Sequence, residues 1–155
     1  MAESRFVYVI YIRTTPEKLW QALIDPEFTR KYWGDTWQVS EWKVGSSWKI
    51  MMPGGQVADV GEILEIEPGR KLVLTWRNEF RPDLKEDGPS RLTYEIQAHG
   101  DAARLTVIHE SETPLSRLIQ AVSLGWPAIL SSLKTLLETG AALEMTQSWK
   151  QPQGS

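Results

Sequence analysis

The side chains able to do chemistry in this sequence are few. His99 and His109 are the only imidazoles, and there is no cysteine. Disulfides, thiolate metal sites and cysteine nucleophiles are thereby excluded, and a multi-histidine metal centre lacks its ligands. The acidic candidates are Asp59, Glu62 and Glu65 on one segment, with Glu110 and Glu112 following His109. Strand alternation puts Asp59 and Glu65 on one face and Glu62 on the other. Such carboxylates serve as general acid or base when a substrate comes within hydrogen-bond reach, and otherwise sit on a wet face. No G-x-S-x-G elbow, H-E-x-x-H helix or phosphate-cradling glycine loop is present. Pro53-Gly54-Gly55 reads as a hairpin turn. The motifs therefore assign no catalytic residue, no metal and no cofactor.

The stronger signal is aromatic. Eight of the 155 residues are tryptophan. Large aromatics fill cores, but they also line cavities for planar or lipidic molecules. Trp48, Trp76 and Tyr94 fall on apolar strand faces, Trp33 ends a short helix, and Trp126 opens a long one. His109 shares a face with Leu105 and Val107. It either orients a ligand or is a core histidine satisfied by a neighbour. Trp37 and Trp42 lie on opposite faces of a strand whose register the sequence leaves open.

The elements that must position these groups are legible in the spacing. Phe6–Arg13 alternates β-branched and aromatic residues, the pattern of a strand. Thr15-Pro16 reads as a helix N-cap and first turn, with Thr14 and Glu17 as an alternative capping box. The device recurs at Asp25-Pro26 and again at Thr113-Pro114. Strands are expected at Thr36–Lys43, Ser47–Met52, Val57–Ile66, Leu72–Phe80, Arg91–Ala98 and Arg104–Glu110, joined by short turns into an antiparallel meander. The charged Arg81–Ser90 connection is long and borders a cavity mouth on this reading.

Leu115, Leu118, Ile119 and Val122 sit at helical spacing before Gly125-Trp126-Pro127 interrupts. That stripe packs on its own domain, with a lid, a homodimer contact or a membrane-facing patch as alternatives. A second helical stretch from Trp126 to Thr139 is roughly 20 Å long, and Gly140 supplies its stop. One domain spanning 1–155 is expected, with an ordered core over about 5–140 and a tail over 141–155 that frays at Lys150–Ser155.

Composition narrows the partners. With 17 Lys+Arg against 20 Asp+Glu the formal charge is −3, which gives no general attraction to nucleic acid or anionic lipid. No stretch approaches the ~20 apolar residues of a membrane-spanning helix, and no signal-peptide pattern follows the N-terminus. A cytoplasmic location is the expectation.

The whole order of elements resembles the α+β helix-grip fold of START and Bet v 1-like proteins. Within that group the chain is similar to homologues of the heat-shock protein 90 ATPase activator. The resemblance is carried by Thr15-Pro16-Glu17-Lys18-Leu19-Trp20, Ala22-Leu23, Asp25-Pro26 and Tyr32-Trp33. Val44-Gly45, Gly61, Ile63, Glu67-Pro68, Leu72 and Thr75-Trp76 continue it, as do Ser90, Leu92-Thr93, Leu105-Thr106-Val107 and His109. It ends on Gly125-Trp126, Leu130, Leu133, Leu137 and Glu138.

The fold this implies is a curved antiparallel sheet of six to seven strands with two short helices, wrapped around a long C-terminal helix. The resemblance also implies a cavity between sheet and helix. Its expected lining is Trp33, Trp48, Leu74, Trp76, Tyr94, His109, Trp126, Ile129, Leu130 and Leu133. The function expected first is burial of a small apolar or aromatic molecule there. The alternatives are a chaperone-associated module that stimulates the heat-shock protein 90 ATPase, and a cyclase- or hydrolase-like enzyme using the same cavity.

Overall fold

The computed structural model describes residues 3–147. Its centre is a seven-stranded antiparallel sheet of β1 (Ser4–Ile12), β2 (Trp37–Ser40), β3 (Ser47–Met51), β4 (Val57–Glu67), β5 (Lys71–Asn78), β6 (Ser90–His99) and β7 (Ala102–Ser111). The spatial order is β1-β7-β6-β5-β4-β3-β2, so the meander from β2 to β7 ends beside the first strand. One face is covered throughout. Leu72, Leu74 and Trp76 on β5, Leu92, Tyr94 and Ile96 on β6, and Leu105, Val107 and His109 on β7 are all buried. This is the alternation expected of an antiparallel sheet with one packed face.

The two short helices begin where threonine or aspartate precedes proline. α1 (Pro16–Ile24) is capped by Thr15, whose Oγ1 accepts from the Lys18 N–H at 3.2 Å; α2 (Pro26–Tyr32) is capped by Asp25, which accepts from the Glu27 N–H at 2.9 Å. Each side chain satisfies a backbone donor that the first helical turn leaves orphaned. The Tyr32 hydroxyl donates to the Ala22 carbonyl at 2.9 Å and ties the pair together.

The third cap-and-proline pair does not open a helix. Thr113-Pro114 lies in a turn, and the long helix α4 (Arg117–Thr139) starts at Ser116, whose hydroxyl accepts from the Ile119 N–H at 3.2 Å. The start is held there by Asp87, which accepts from the Ser116 hydroxyl at 2.6 Å and the Leu118 N–H at 2.9 Å. Partial burial opposes ionisation of Asp87, but these donors and the nearby Arg117 hold its carboxyl below the usual range.

Gly125-Trp126-Pro127 does not interrupt the chain either, because α4 runs unbroken through it for 23 residues. The buried positions Leu118, Ile119, Trp126, Ile129, Leu130, Leu133 and Leu136 keep one helical phase across the proline. Each such side chain contributes about 1.5–3 kcal/mol on burial, which together outweigh the ~3 kcal/mol cost of an interior proline. Gly140, at φ 92, closes the helix in the left-handed conformation and donates its N–H to the Leu136 carbonyl.

Three further differences from the sequence expectation have local causes. β2 stops at Ser40 rather than Lys43, because Ser40 Oγ accepts from the Trp42 N–H at 3.0 Å and Trp42 turns to φ 57. The Arg81–Ser90 connection carries a short helix, α3 (Pro82–Lys85), which buries Leu84. Beyond Gly140, α5 (Glu144–Gln147) docks back on α4, where Thr146 Oγ1 and Ser132 Oγ lie 2.8 Å apart in the interior. The fraying expected at Lys150–Ser155 falls outside the described residues. No helix among the described residues is long and apolar enough to cross a membrane.

Candidate functional site

A cavity of about 210 Å³ opens between the covered sheet face and α4. Trp33 contributes from the end of α2, Asp59 from β4, Trp76 and Asn78 from β5, and Leu84 from α3. The α4 side is Leu118, Ala121, Val122, Gly125, Trp126 and Ile129. Gly125 matters here because a Cβ built on it meets nothing within 4 Å. A mid-helix glycine costs about 1 kcal/mol relative to alanine, and here it leaves open space at the cavity wall.

Three indoles form one aromatic block. Trp33 stacks on Trp76 with centroids 6.1 Å apart and meets Trp126 edge-on at 5.3 Å, while Trp76 and Trp126 are 6.0 Å apart. Behind them lie Trp48, 5.0 Å from Trp76, and Tyr94, 6.1 Å from Trp126. The Trp48 indole donates to Gln38 Oε1 at 2.8 Å, and Gln38 in turn donates to the Leu23 carbonyl.

His109 is fully buried between Trp76 and Trp126, and both of its nitrogens are committed within the protein. Trp126 Nε1–H donates to Nδ1 at 3.2 Å, which fixes the proton on Nε2. Nε2–H then donates to Ser90 Oγ at 2.8 Å, and the Ser90 hydroxyl donates to the Trp76 carbonyl at 2.8 Å. Burial without a counter-charge pushes the imidazole down to about 3, so it stays neutral at ordinary pH. The relay runs from helix to sheet and locks two walls of the cavity together.

Among the described residues, Asp59 is the one charged group that lines the cavity. It is only 7% exposed. Its Oδ1 accepts from Trp76 Nε1 at 2.8 Å and from Asn78 Nδ2 at 3.0 Å. Asn78 is itself fixed, since its Oδ1 accepts the Phe80 and Arg81 N–H groups. Burial pushes the Asp59 carboxyl up to about 6, against the opposing pull of the two hydrogen bonds, and the neighbouring Glu79 adds to the rise.

Asp59 and Glu65 do not share a face. The β4–β5 register shifts between Ile63 and Glu65, which leaves Asp59 inside and Glu65 exposed beside Lys71 at 3.3 Å. One irregular residue reverses all alternation beyond it. Strand β4 also passes so close to β5 at Gly61 that a Cβ there would lie 1.7 Å from the Thr75 carbonyl oxygen.

Of the ten expected lining residues, Trp33, Trp76, Trp126 and Ile129 border the cavity. Trp48, Leu74, Tyr94, His109, Leu130 and Leu133 are buried in the packed core around it. Asp59, Asn78, Leu84, Leu118, Ala121, Val122 and Gly125 also border it and were not among those ten. Of these, Asp59 had a sequence signal as a candidate acid or base, Leu118 and Val122 as part of the apolar helical stripe, and Gly125 as the expected interruption of the helix. A larger hollow of about 400 Å³ lies over Leu64, Thr75, Arg91 and Glu110, and no aromatic side chain among the described residues lines it.

The fold has many counterparts among solved structures. The Mesorhizobium loti protein MLL2253 is 26% identical with a TM-score of 0.73, covering 87% of this chain and 97% of its own. CalU16 from Micromonospora echinospora is 19% identical at a TM-score of 0.70, covering 95% of this chain and 81% of its own. An Aha1 dimer from Colwellia psychrerythraea is 19% identical at a TM-score of 0.69, covering 88% of this chain and 98% of its own. No curated protein matches the chain. The family described as activator of Hsp90 ATPase homolog 1-like protein matches residues 13–138. The chain therefore belongs to the activator of Hsp90 ATPase homolog 1-like family, in its helix-grip form.

Proposed function

We propose that the chain binds a small ligand, with an apolar or aromatic part, in the cavity between the sheet and α4. The observation that supports this best is the combination of three indoles and one buried carboxylate around open space. A mostly apolar wall with few convergent polar groups is the usual make-up of a small-molecule site. The test is two-dimensional NMR of the indole N–H signals during titration with a set of small aromatic compounds. Trp33, Trp76 and Trp126 should shift together, while Trp20 and Trp37, outside the cavity lining, should not. Shifts scattered over all eight indoles, or none with any compound, would count against the reading.

A second reading keeps the same cavity but adds acid–base catalysis. It is favoured by Asp59, whose carboxyl at about 6 is poised to take or give a proton near neutral pH. Turnover of a bound compound that disappears in Asp59→Asn with binding retained would establish it. A surface role toward a chaperone or a second copy rests on the family description and on the dimeric Colwellia structure. The outer face of edge strand β1, with Val7, Val9 and Tyr11 exposed, is the surface offered for it.

A further inference from the structure

We propose that the cavity selects an organic cation, with an ammonium group seated between the indoles and the free oxygen of Asp59. The inference rests on the ligand-binding reading above and names the ligand's chemistry.

The polar groups around the space leave little choice. The N–H of Trp76 is committed to Asp59 and that of Trp126 to His109. The Asn78 carbonyl is held by two backbone donors, and its amide donates to Asp59. Both hydrogen bonds to Asp59 fall on Oδ1. Oδ2 accepts none among the described residues and is not sealed from solvent, and Asp59 lines the cavity.

Among the described residues no cation pairs with this carboxylate, and neither lysine nor arginine lines the cavity. The positive groups on the adjoining segments, Arg77 and Lys85, pair with Glu79 instead, and Glu79 acts on Asp59 with the same sign of charge. A buried carboxylate with neutral donors alone is costly to keep ionised.

Different ligand classes meet this site unequally. An anionic ligand would be repelled by Asp59 and by the negative ring faces. A neutral hydrocarbon would seal the carboxylate away from water without replacing its solvation. A metal ion would find one carboxylate, and no group of three His, Asp or Glu ligands exists among the described residues. An organic ammonium does what the others cannot. Its charge meets Oδ2, its apolar substituents meet Leu118, Val122 and Ile129, and indole faces attract it through their quadrupoles. A volume of about 210 Å³ suits a small head group rather than a large ligand.

The experiment compares charged and uncharged isosteres on the full chain at mildly alkaline pH, where Asp59 is ionised. Choline is set against its uncharged tert-butyl analogue, and phenethylamine against phenethyl alcohol, with indole N–H shifts as the readout. The cation of each pair should bind about tenfold more tightly. In Asp59→Asn, which keeps the acceptor for Trp76, that preference should collapse to within about twofold. If this variant does not fold, the isostere pairs in the unaltered protein decide alone. Equal binding within each pair, or preference for the neutral member, overturns the cation inference and leaves ligand binding standing. Absence of binding by every probe, neutral aromatics included, overturns both.

Discussion

Trp76 Nε1–H donates to Asp59 Oδ1 at 2.8 Å, which ties the carboxylate to the central indole of the cavity. The bond crosses from β5 to β4, next to the Asp59–Asn78 pairing. It orients one oxygen of Asp59 toward the protein and leaves the other for whatever enters. A charged group held this way is a cost to the fold in the absence of a ligand.

That cost gives a pH-dependent prediction. The Asp59 carboxyl is raised from 3.8 to about 6 on folding, so between those values the folded state holds a proton that the unfolded chain has released. Stability from this group is therefore present at low pH and is lost as pH rises through that window. Asp59→Asn should be more stable than the parent by on the order of 3 kcal/mol well above the folded-state value of about 6. The advantage should shrink toward zero as pH falls to about 4. Urea denaturation across this range measures it, and an advantage that grows on acidification would refute the assignment.

The histidine relay predicts loss from a modest change. Trp126→Phe keeps an aromatic ring but removes the N–H that answers His109 Nδ1. An unsatisfied buried acceptor costs about 1–3 kcal/mol, and lost ring area adds to it. Chemical denaturation should show a fall of at least that size, and an unchanged midpoint would mean the relay contributes nothing.

Gly61→Ala should be among the most damaging single methyl additions in the chain. The added Cβ would lie 1.7 Å from a backbone oxygen of β5, with no flexible side chain to yield. A loss of about 2 kcal/mol or more in unfolding free energy is expected. Gly125→Ala is the contrasting case, because its Cβ meets open space. It should gain about 0.5–1 kcal/mol from helix propensity, as read by thermal melting of the two variants side by side.

The start of α4 depends on Asp87. Asp87→Ala removes the acceptor for Ser116 and Leu118 and a negative charge from the helix N-terminus. A loss of about 1–2 kcal/mol is expected from the two effects together. Because this carboxyl sits below its usual range, its contribution is present at neutral pH and fades on acidification. The difference between variant and parent should therefore narrow in acid.

How much of this was legible in the sequence follows from which physics is local. Alternation and turn residues located all seven strands, and Pro after Thr15 and Asp25 located α1 and α2. These signals live within a few residues. The Thr113-Pro114 signal failed because the true start of α4 is chosen by Asp87, almost thirty residues away in sequence. Gly125-Trp126-Pro127 misled because local propensity was outweighed by packing on the sheet. Asp59 was visible as an acid, but the bulge that separates it from Glu65 depends on how β4 meets β5. The aromatic convergence was visible as a set. Which indoles border open space and which are packed solid depends on side-chain geometry that spacing does not specify.

The central claim is that the cavity holds a small ligand, and native mass spectrometry of gently purified protein tests it most directly. The parent and Gly125→Leu, whose side chain would fill the space beside Trp126, are measured in parallel with denatured controls. The parent should carry a small-molecule adduct that denaturation releases and that Gly125→Leu, folded and with its cavity filled, lacks. An adduct carried equally by both, or a bare parent that also fails to take up any offered aromatic compound, charged or neutral, would contradict ligand binding.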